Sequence, residues 1–133
     1  MNPLPLVSLV IPAFNPRFFE RTLRSAVGQG YANLEIIVCD DSRGDEIRAV
    51  VDQVSEHSGV PVRYVRNPRT LGLVGNLQAC LAQAQGEFVK FLCDDDLLFG
   101  SCIEVQAHLL SESPDVNLAL AQRLYWDAND APL

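Results

Sequence analysis

Val7-Ser8-Leu9-Val10-Ile11-Pro12-Ala13-Phe14-Asn15-Pro16 is the stretch on which the reading of the fold turns. Val7 to Ile11 form a short β-branched run that stops at Pro12, as expected of a strand buried on both faces. Asn15-Pro16 then has the form of a helix N-cap followed by proline at the first helical position. Phe19, Leu23, Ala26 and Val27 follow at helical spacing, and Gly28 and Gly30 end the helix. A buried strand that passes directly into an amphipathic helix is the opening unit of a parallel α/β sheet.

The alternation continues along the chain. Glu35-Ile36-Ile37-Val38-Cys39 reads as a second buried strand. Ile47, Val50, Val51 and Val54 mark a second helix, closed near Gly59, and Val60 to Val65 reads as a third strand. After the turn at Asn67-Pro68, Leu73, Leu77, Leu81 and Ala84 give a third helical stripe, stopped by Gly86. Phe88-Val89-Lys90-Phe91-Leu92 is a fourth strand. Ser101 and Glu104 have capping-box spacing, which predicts the start of a fourth helix. Val116 to Ala121 reads as a fifth strand and Asp127 to Leu133 as a loop. The pattern predicts an α/β fold over one domain, residues 1–133. A mostly parallel sheet would carry helices on both faces, with right-handed crossovers.

Composition narrows the classes. The 133 residues are 48% hydrophobic and 20% charged, enough apolar material for a core and a poor match to disorder. Ten basic against 17 acidic residues give a net charge of −7, which argues against holding a nucleic-acid backbone. Cys39, Cys80, Cys93 and Cys102 form no CxxC pair and no zinc spacing with histidine. They read as small core residues in a reducing, cytoplasmic compartment. Met1-Asn2-Pro3-Leu4-Pro5 lacks the basic start of a signal peptide, and no apolar stretch is long enough to span a bilayer. Arg63, Arg66 and Arg69 read as solvated, Arg69 being within possible reach of a phosphate.

In open α/β sheets, ligands bind beyond the carboxyl ends of the strands. Pro12-Ala13-Phe14-Asn15 follows the first strand, Asp40-Asp41-Ser42 the second, and Cys93-Asp94-Asp95-Asp96 the fourth. Five carboxylates thus share one edge of the predicted sheet. Neither G-x-G-x-x-G nor G-x-x-x-x-G-K occurs, so the usual amide cradle for a pyrophosphate is missing. Clustered carboxylates repel a phosphate unless a cation lies between them, and hard oxygen donors suit Mg²⁺ or Mn²⁺. Plainer readings compete. Asp-Asp-Ser is also a good turn and helix cap, and Phe14 alone could be a core residue. Three consecutive aspartates are harder to explain structurally, because they repel one another.

In this order the motifs resemble family-2 inverting glycosyltransferases of the GT-A fold. The resemblance rests on Val7 to Asn15, Ser25 to Gln29, Asn33 to Ser42, Asn67 to Asn76 and Ala84 to Asp96. It implies a Rossmann-like GT-A nucleotide-binding half with strand order 3-2-1-4. It further implies that Pro12, Ala13, Phe14 and Asn15 lie around the nucleobase, with Phe14 against its face. Asp41 would accept a hydrogen bond from the base, typically uracil, with Asp40 beside it. Asp94 would lie near the ribose, and Asp95 would hold Mg²⁺ or Mn²⁺ on the diphosphate. Cys93 stands where the family often has the first aspartate of its metal motif. The partners implied are a nucleoside-diphosphate sugar donor and a saccharide or lipid-linked saccharide acceptor. The catalytic base is expected beyond Leu133. Rival readings are a non-catalytic sugar-nucleotide-binding module and a phospho-receiver domain. The receiver would need its acidic pair after the first strand and a late lysine, whereas here the pair follows the second strand and no lysine follows Lys90.

Overall fold

A computed structural model describes residues 3–133. Met1 and Asn2, on which part of the leader-free reading rests, lie outside the described residues. Four strands and four helices alternate: β1 Val7–Ala13, α1 Phe19–Val27, β2 Leu34–Asp40, α2 Glu46–Ser55, β3 Val62–Arg66, α3 Gly72–Gln83, β4 Phe88–Phe91 and α4 Cys102–Glu112. The sheet has the order β3-β2-β1-β4, and each neighbouring pair is parallel. This is the expected order.

β1 is central, and all seven of its residues are buried. Its alternate side chains divide the core. Val7, Leu9, Ile11 and Ala13 join Ile36 and Val38 of β2 on one face, packed against Phe19 and Leu23 of α1, Ile47 and Val51 of α2, and Ile103 and Ala107 of α4. Val10, Ile37 and Cys39 occupy the other face with Cys80 of α3. Helices therefore cover both faces, and period-two alternation explains why each face is apolar. Gly86 lets the chain cross the start of β1 closely, since a Cβ there would lie 2.6 Å from the Ser8 amide nitrogen.

Several local expectations need correction. Asn15-Pro16 does not begin α1. The Asn15 Oδ1 accepts the Arg17 amide at 3.0 Å, closing a turn, and the helix starts at Phe19. α4 starts where the capping box predicts, but the Ser101 hydroxyl makes no capping bond. Gln29, from the loop after α1, accepts the Ile103 amide through Oε1 at 3.1 Å and supplies the cap instead. No strand forms over Val116 to Ala121. Leu118 and Leu120 are exposed, and the Ala119 carbonyl accepts Gln106 Nε2 of α4 at 3.1 Å. A strand requires a neighbour's ladder to satisfy its backbone groups, and this run meets a helix side chain instead. Among the described residues β4 therefore remains an edge strand, as β3 is on the other side. Residues 127–133 form the predicted loop, tightened by an isolated Trp126–Pro132 bridge. Arg63 and Arg66 are not simply solvated, since they pair with Glu35 and Asp40 at 3.4 and 3.2 Å. Cys39 and Cys80 are buried as expected, whereas Cys93 is exposed.

Candidate functional site

Parallel register places the carboxyl ends of β1, β2 and β4 on one edge, as the ligand-binding rule for such sheets requires. A cleft of ≈ 410 Å³ opens there, and its walls include Pro12, Phe14, Asp41, Cys93, Asp94 and Asp95, with Thr70 from the turn before α3 and Gly72, Leu73 and Asn76 from its start. Five expected site residues thus meet in one cleft. Ala13, Asn15 and Asp40 do not line it.

The loops after β1 and β4 are tied by one carboxylate. Oδ2 of Asp94 accepts the Phe14 and Asn15 amides, each at 2.7 Å. The Thr22 hydroxyl of α1 donates to the Asp94 carbonyl at 3.0 Å. These bonds hold the Phe14 backbone and leave its ring 60% exposed, where a planar ligand could stack. Asp95 and Asp96 are exposed. Desolvation and the adjacent Asp96, Asp95 and Asp94 charges raise the Cys93 thiol above its ordinary range.

The acidic pair after β2 is built differently. Asp40 has no exposed surface. It accepts the Ser42 amide at 2.8 Å and the Tyr64 hydroxyl at 2.6 Å, and pairs with Arg66 at 3.2 Å. Burial pushes its carboxyl upward, but the bonds from Ser42, Tyr64 and Arg66 outweigh that and hold it below its usual range. Asp41 is 3% exposed and accepts three donors at its Oδ atoms. Asn67 Nδ2 reaches Oδ1 at 2.9 Å; the Leu71 amide is shared between Oδ1 and Oδ2 at 2.8 and 3.0 Å; the Gly72 amide reaches Oδ2 at 2.9 Å. Asp41 therefore caps α3 across the chain. Gly72 has φ +75°, a backbone conformation that favours glycine.

Asn67 and Asn76 were not singled out as site residues from sequence. Both are buried, at 5% and 2% exposure. Asn76 Nδ2 donates to the Ala13 and Cys39 carbonyls at 3.3 and 3.0 Å, bracing the ends of β1 and β2. Its Oδ1 accepts Asn67 Nδ2 at 2.9 Å. This network turns α3 away from its apolar stripe. Asn76 and Cys80 face inward, while Leu73 and Leu81 are 66% and 47% exposed. The available sequence signal was an asparagine, a poor helix former, among Leu73, Val74 and Leu77.

Among the described residues no group of three or more metal-ligating side chains converges. Asp94 and Asp95, which line the cleft, are hard oxygen donors, and one or two such carboxylates are the number a divalent ion shared with substrate phosphates takes from a protein.

Comparison with known proteins extends the geometry. The GalNAc(5)-diNAcBac-PP-undecaprenol beta-1,3-glucosyltransferase of Campylobacter jejuni is 34% identical over 101 residues, which are 75% of this chain and 33% of that protein. The Escherichia coli UDP-Glc:alpha-D-GlcNAc-diphosphoundecaprenol beta-1,3-glucosyltransferase WfgD is 31% identical over 106 residues, 79% of this chain and 41% of that one. The chain thus spans well under half the length of either relative. Among solved structures, the mannosyltransferase PcManGT from Pyrobaculum calidifontis, in complex with GDP-Man and Mn²⁺, superposes with a TM-score of 0.66. It is 25% identical, over 73% of this chain and 29% of that one. The fold is accordingly the Rossmann-like half of the GT-A architecture. The family described as Glycosyl transferase family 2 matches residues 8–131, and with nearly its whole length inside that match, this chain belongs to glycosyltransferase family 2.

Proposed function

We propose that residues 1–133 form the donor-nucleotide-binding domain of an inverting glycosyltransferase. It would bind a nucleoside-diphosphate sugar, with UDP as the nucleotide, for transfer of the sugar to an acceptor hydroxyl. The observation that carries this reading is the cleft that joins an exposed aromatic ring, Phe14, to two kinds of carboxylate, the capped Asp41 and the open Asp95.

In this reading the Phe14 ring stacks on the base, and Asp41 accepts its imide N–H. The Asn67, Leu71 and Gly72 donors place two contacts on each oxygen of Asp41, so a base N–H would share an acceptor with the cap. UDP is read as the nucleotide because UDP-Glc is the donor named for WfgD. Asp94 keeps Oδ1 without a protein donor among the described residues, available to the ribose. Pro12, Ala13 and Asn15 act through the backbone that positions Phe14, and Asp40 through the strand end below Asp41.

Asp95, with Asp94 beside it, would hold Mg²⁺ or Mn²⁺ against the diphosphate. When bound, such an ion supplies Lewis-acid stabilisation of the leaving diphosphate's charge. The acceptor is read as a lipid-linked saccharide, the kind of acceptor named for both relatives. No described helix is long and apolar enough to cross a membrane. A cytoplasmic site of action beside a membrane-borne acceptor remains part of the proposal. The acceptor-activating base has no candidate in the cleft.

Titration calorimetry with UDP in Mn²⁺ and in EDTA tests the reading. Binding in Mn²⁺ that disappears in EDTA supports it. Equal affinity in both removes the metal, and absence of UDP binding in either removes the function.

A further inference from the structure

Ser25 to Gln29 carries part of the family resemblance yet lines no part of the cleft. Thr22 and Ser25 share a face of α1, and Gln29 follows two residues past its end. All three side chains reach the segment that follows β4. The Thr22 hydroxyl donates to the Asp94 carbonyl at 3.0 Å. The Ser25 hydroxyl donates to the Thr22 carbonyl at 2.7 Å and accepts the Leu98 amide at 3.1 Å. Gln29 Nε2 donates to the Ser25 and Leu98 carbonyls at 3.2 and 3.4 Å, while its Oε1 takes the Ile103 amide.

The backbone is thus tied to α1 at Asp94 and again at Leu98, with Asp95, Asp96 and Leu97 between the two ties. A turn bond from the Asp96 amide to the Cys93 carbonyl, at 3.2 Å, tightens the same loop. Thr22 and Gln29 are buried and Ser25 is half-buried. Asp95 therefore combines a side chain open to solvent with a backbone held on both sides. A carboxylate on a loose loop must be ordered when it takes up a cation, and ordering one backbone residue lowers affinity about tenfold. A loop already ordered by folding avoids that loss at the moment of binding.

We propose that Ser25 is a positioning residue for capture of the metal-bound nucleotide. Its hydroxyl, with Thr22 and Gln29 on either side, fixes the loop that presents Asp95. The proposal rests on the reading of the cleft as a site for a metal-bound nucleoside diphosphate, and adds what holds its charged loop in place. The effect of Ser25 passes through the Leu98 amide and not through contact with ion or nucleotide.

Removing the Ser25 hydroxyl frees one end of the loop. The Mn²⁺ concentration that gives half-maximal UDP binding should then rise about tenfold. A bond that served folding alone would lower the denaturation midpoint and leave the metal requirement of the folded protein as it was. Ser25→Thr keeps the hydroxyl and should restore the wild-type requirement.

The test is calorimetry of the 133-residue chain with UDP at stepped Mn²⁺ concentrations, for wild type, Ser25→Ala and Ser25→Thr, with urea denaturation to establish that each is folded. Expected are a Mn²⁺ requirement raised about tenfold in Ser25→Ala and a wild-type requirement in Ser25→Thr. If Ser25→Ala does not fold, Thr22→Val decides, since it keeps the side-chain shape and removes the donor to the Asp94 carbonyl. A raised requirement there supports the clamp, and a wild-type one overturns it. An unchanged requirement in a folded Ser25→Ala overturns the clamp, while wild-type UDP binding leaves the functional reading standing. A rise that Ser25→Thr shares does the same, because the loss then follows the shape of the helix and not the hydroxyl. Wild type that binds no UDP in Mn²⁺ overturns both.

Discussion

The aspartates after β2 and those after β4 occupy the same edge of the same sheet, yet they are put to opposite uses. Asp40 and Asp41 are buried, and their oxygens are taken up by Tyr64, Arg66, Asn67 and backbone amides. Asp95 and Asp96 are open to solvent, and Asp94 spends one oxygen on the Phe14 and Asn15 amides. A carboxylate whose lone pairs are filled by the protein organises structure. One whose lone pairs are free is available to a cation. The β2 end therefore shapes the cleft, and the β4 end supplies its uncompensated charge.

Mutations should separate the two ends. The largest effect is expected at Asp95. Asp95→Ala should abolish the Mn²⁺-dependent part of UDP binding and leave the denaturation midpoint unchanged, because the side chain is exposed. Calorimetry together with a denaturant titration checks both halves, and a variant that binds as wild type would move the charge site to another loop. Asp41→Ala should behave in the opposite way. Loss of the cap leaves the Leu71 and Gly72 amides and one Asn67 Nδ2 proton without an acceptor, at about 1–3 kcal/mol for each buried group so stranded. Urea denaturation should show that loss before any ligand is added, and full stability would mean that water or a rearranged loop replaces the carboxylate.

Asp40 sharpens the contrast through pH. Its folded pKa lies below the unfolded value. The stability it contributes is present above the unfolded carboxylate pKa, roughly 3.9, and is lost as pH falls through the lower folded value. Stability should therefore be level from pH 7 to about 5 and decline below about pH 4. Asp40→Asn should be less stable at neutrality and show a shallower acid decline, read from denaturation midpoints across pH. A decline as steep as wild type would assign the acid sensitivity to other carboxylates. The smallest effect is expected far from the cleft, where Arg24 and Glu20 pair at 2.9 Å with both side chains about half exposed. Glu20→Ala should leave the midpoint within error, since exposed ion pairs contribute little.

Much of the fold was legible because burial leaves periodic marks. Leu9 to Ile11 and Ile36 to Cys39 are continuous apolar runs, and both lie in interior strands. Phe19, Leu23 and Ala26 kept their helical spacing and their buried face. The helix stripe of Leu73, Leu77 and Leu81 misled because hydrophobic counting has no term for a required polar contact. Asn76 turned inward, where its Nδ2 bonds the Ala13 and Cys39 carbonyls and its Oδ1 accepts Asn67. Val116 to Ala121 misled for a related reason, because an apolar run states a preference for burial and not the presence of a partner strand.

By itself the sequence determined the alternation of strands and helices, the acidic edge and the family, since each depends on residues close together in the chain or on an ordered set of motifs. Tertiary structure alone decided which aspartates remain free. Asp41 caps α3 from 30 residues away and Gln29 caps α4 from 74 away, replacing the local cap that Ser101 seemed to offer. Hydrogen-bond satisfaction in a buried site depends on which donors arrive in space, and chain separation carries no record of that.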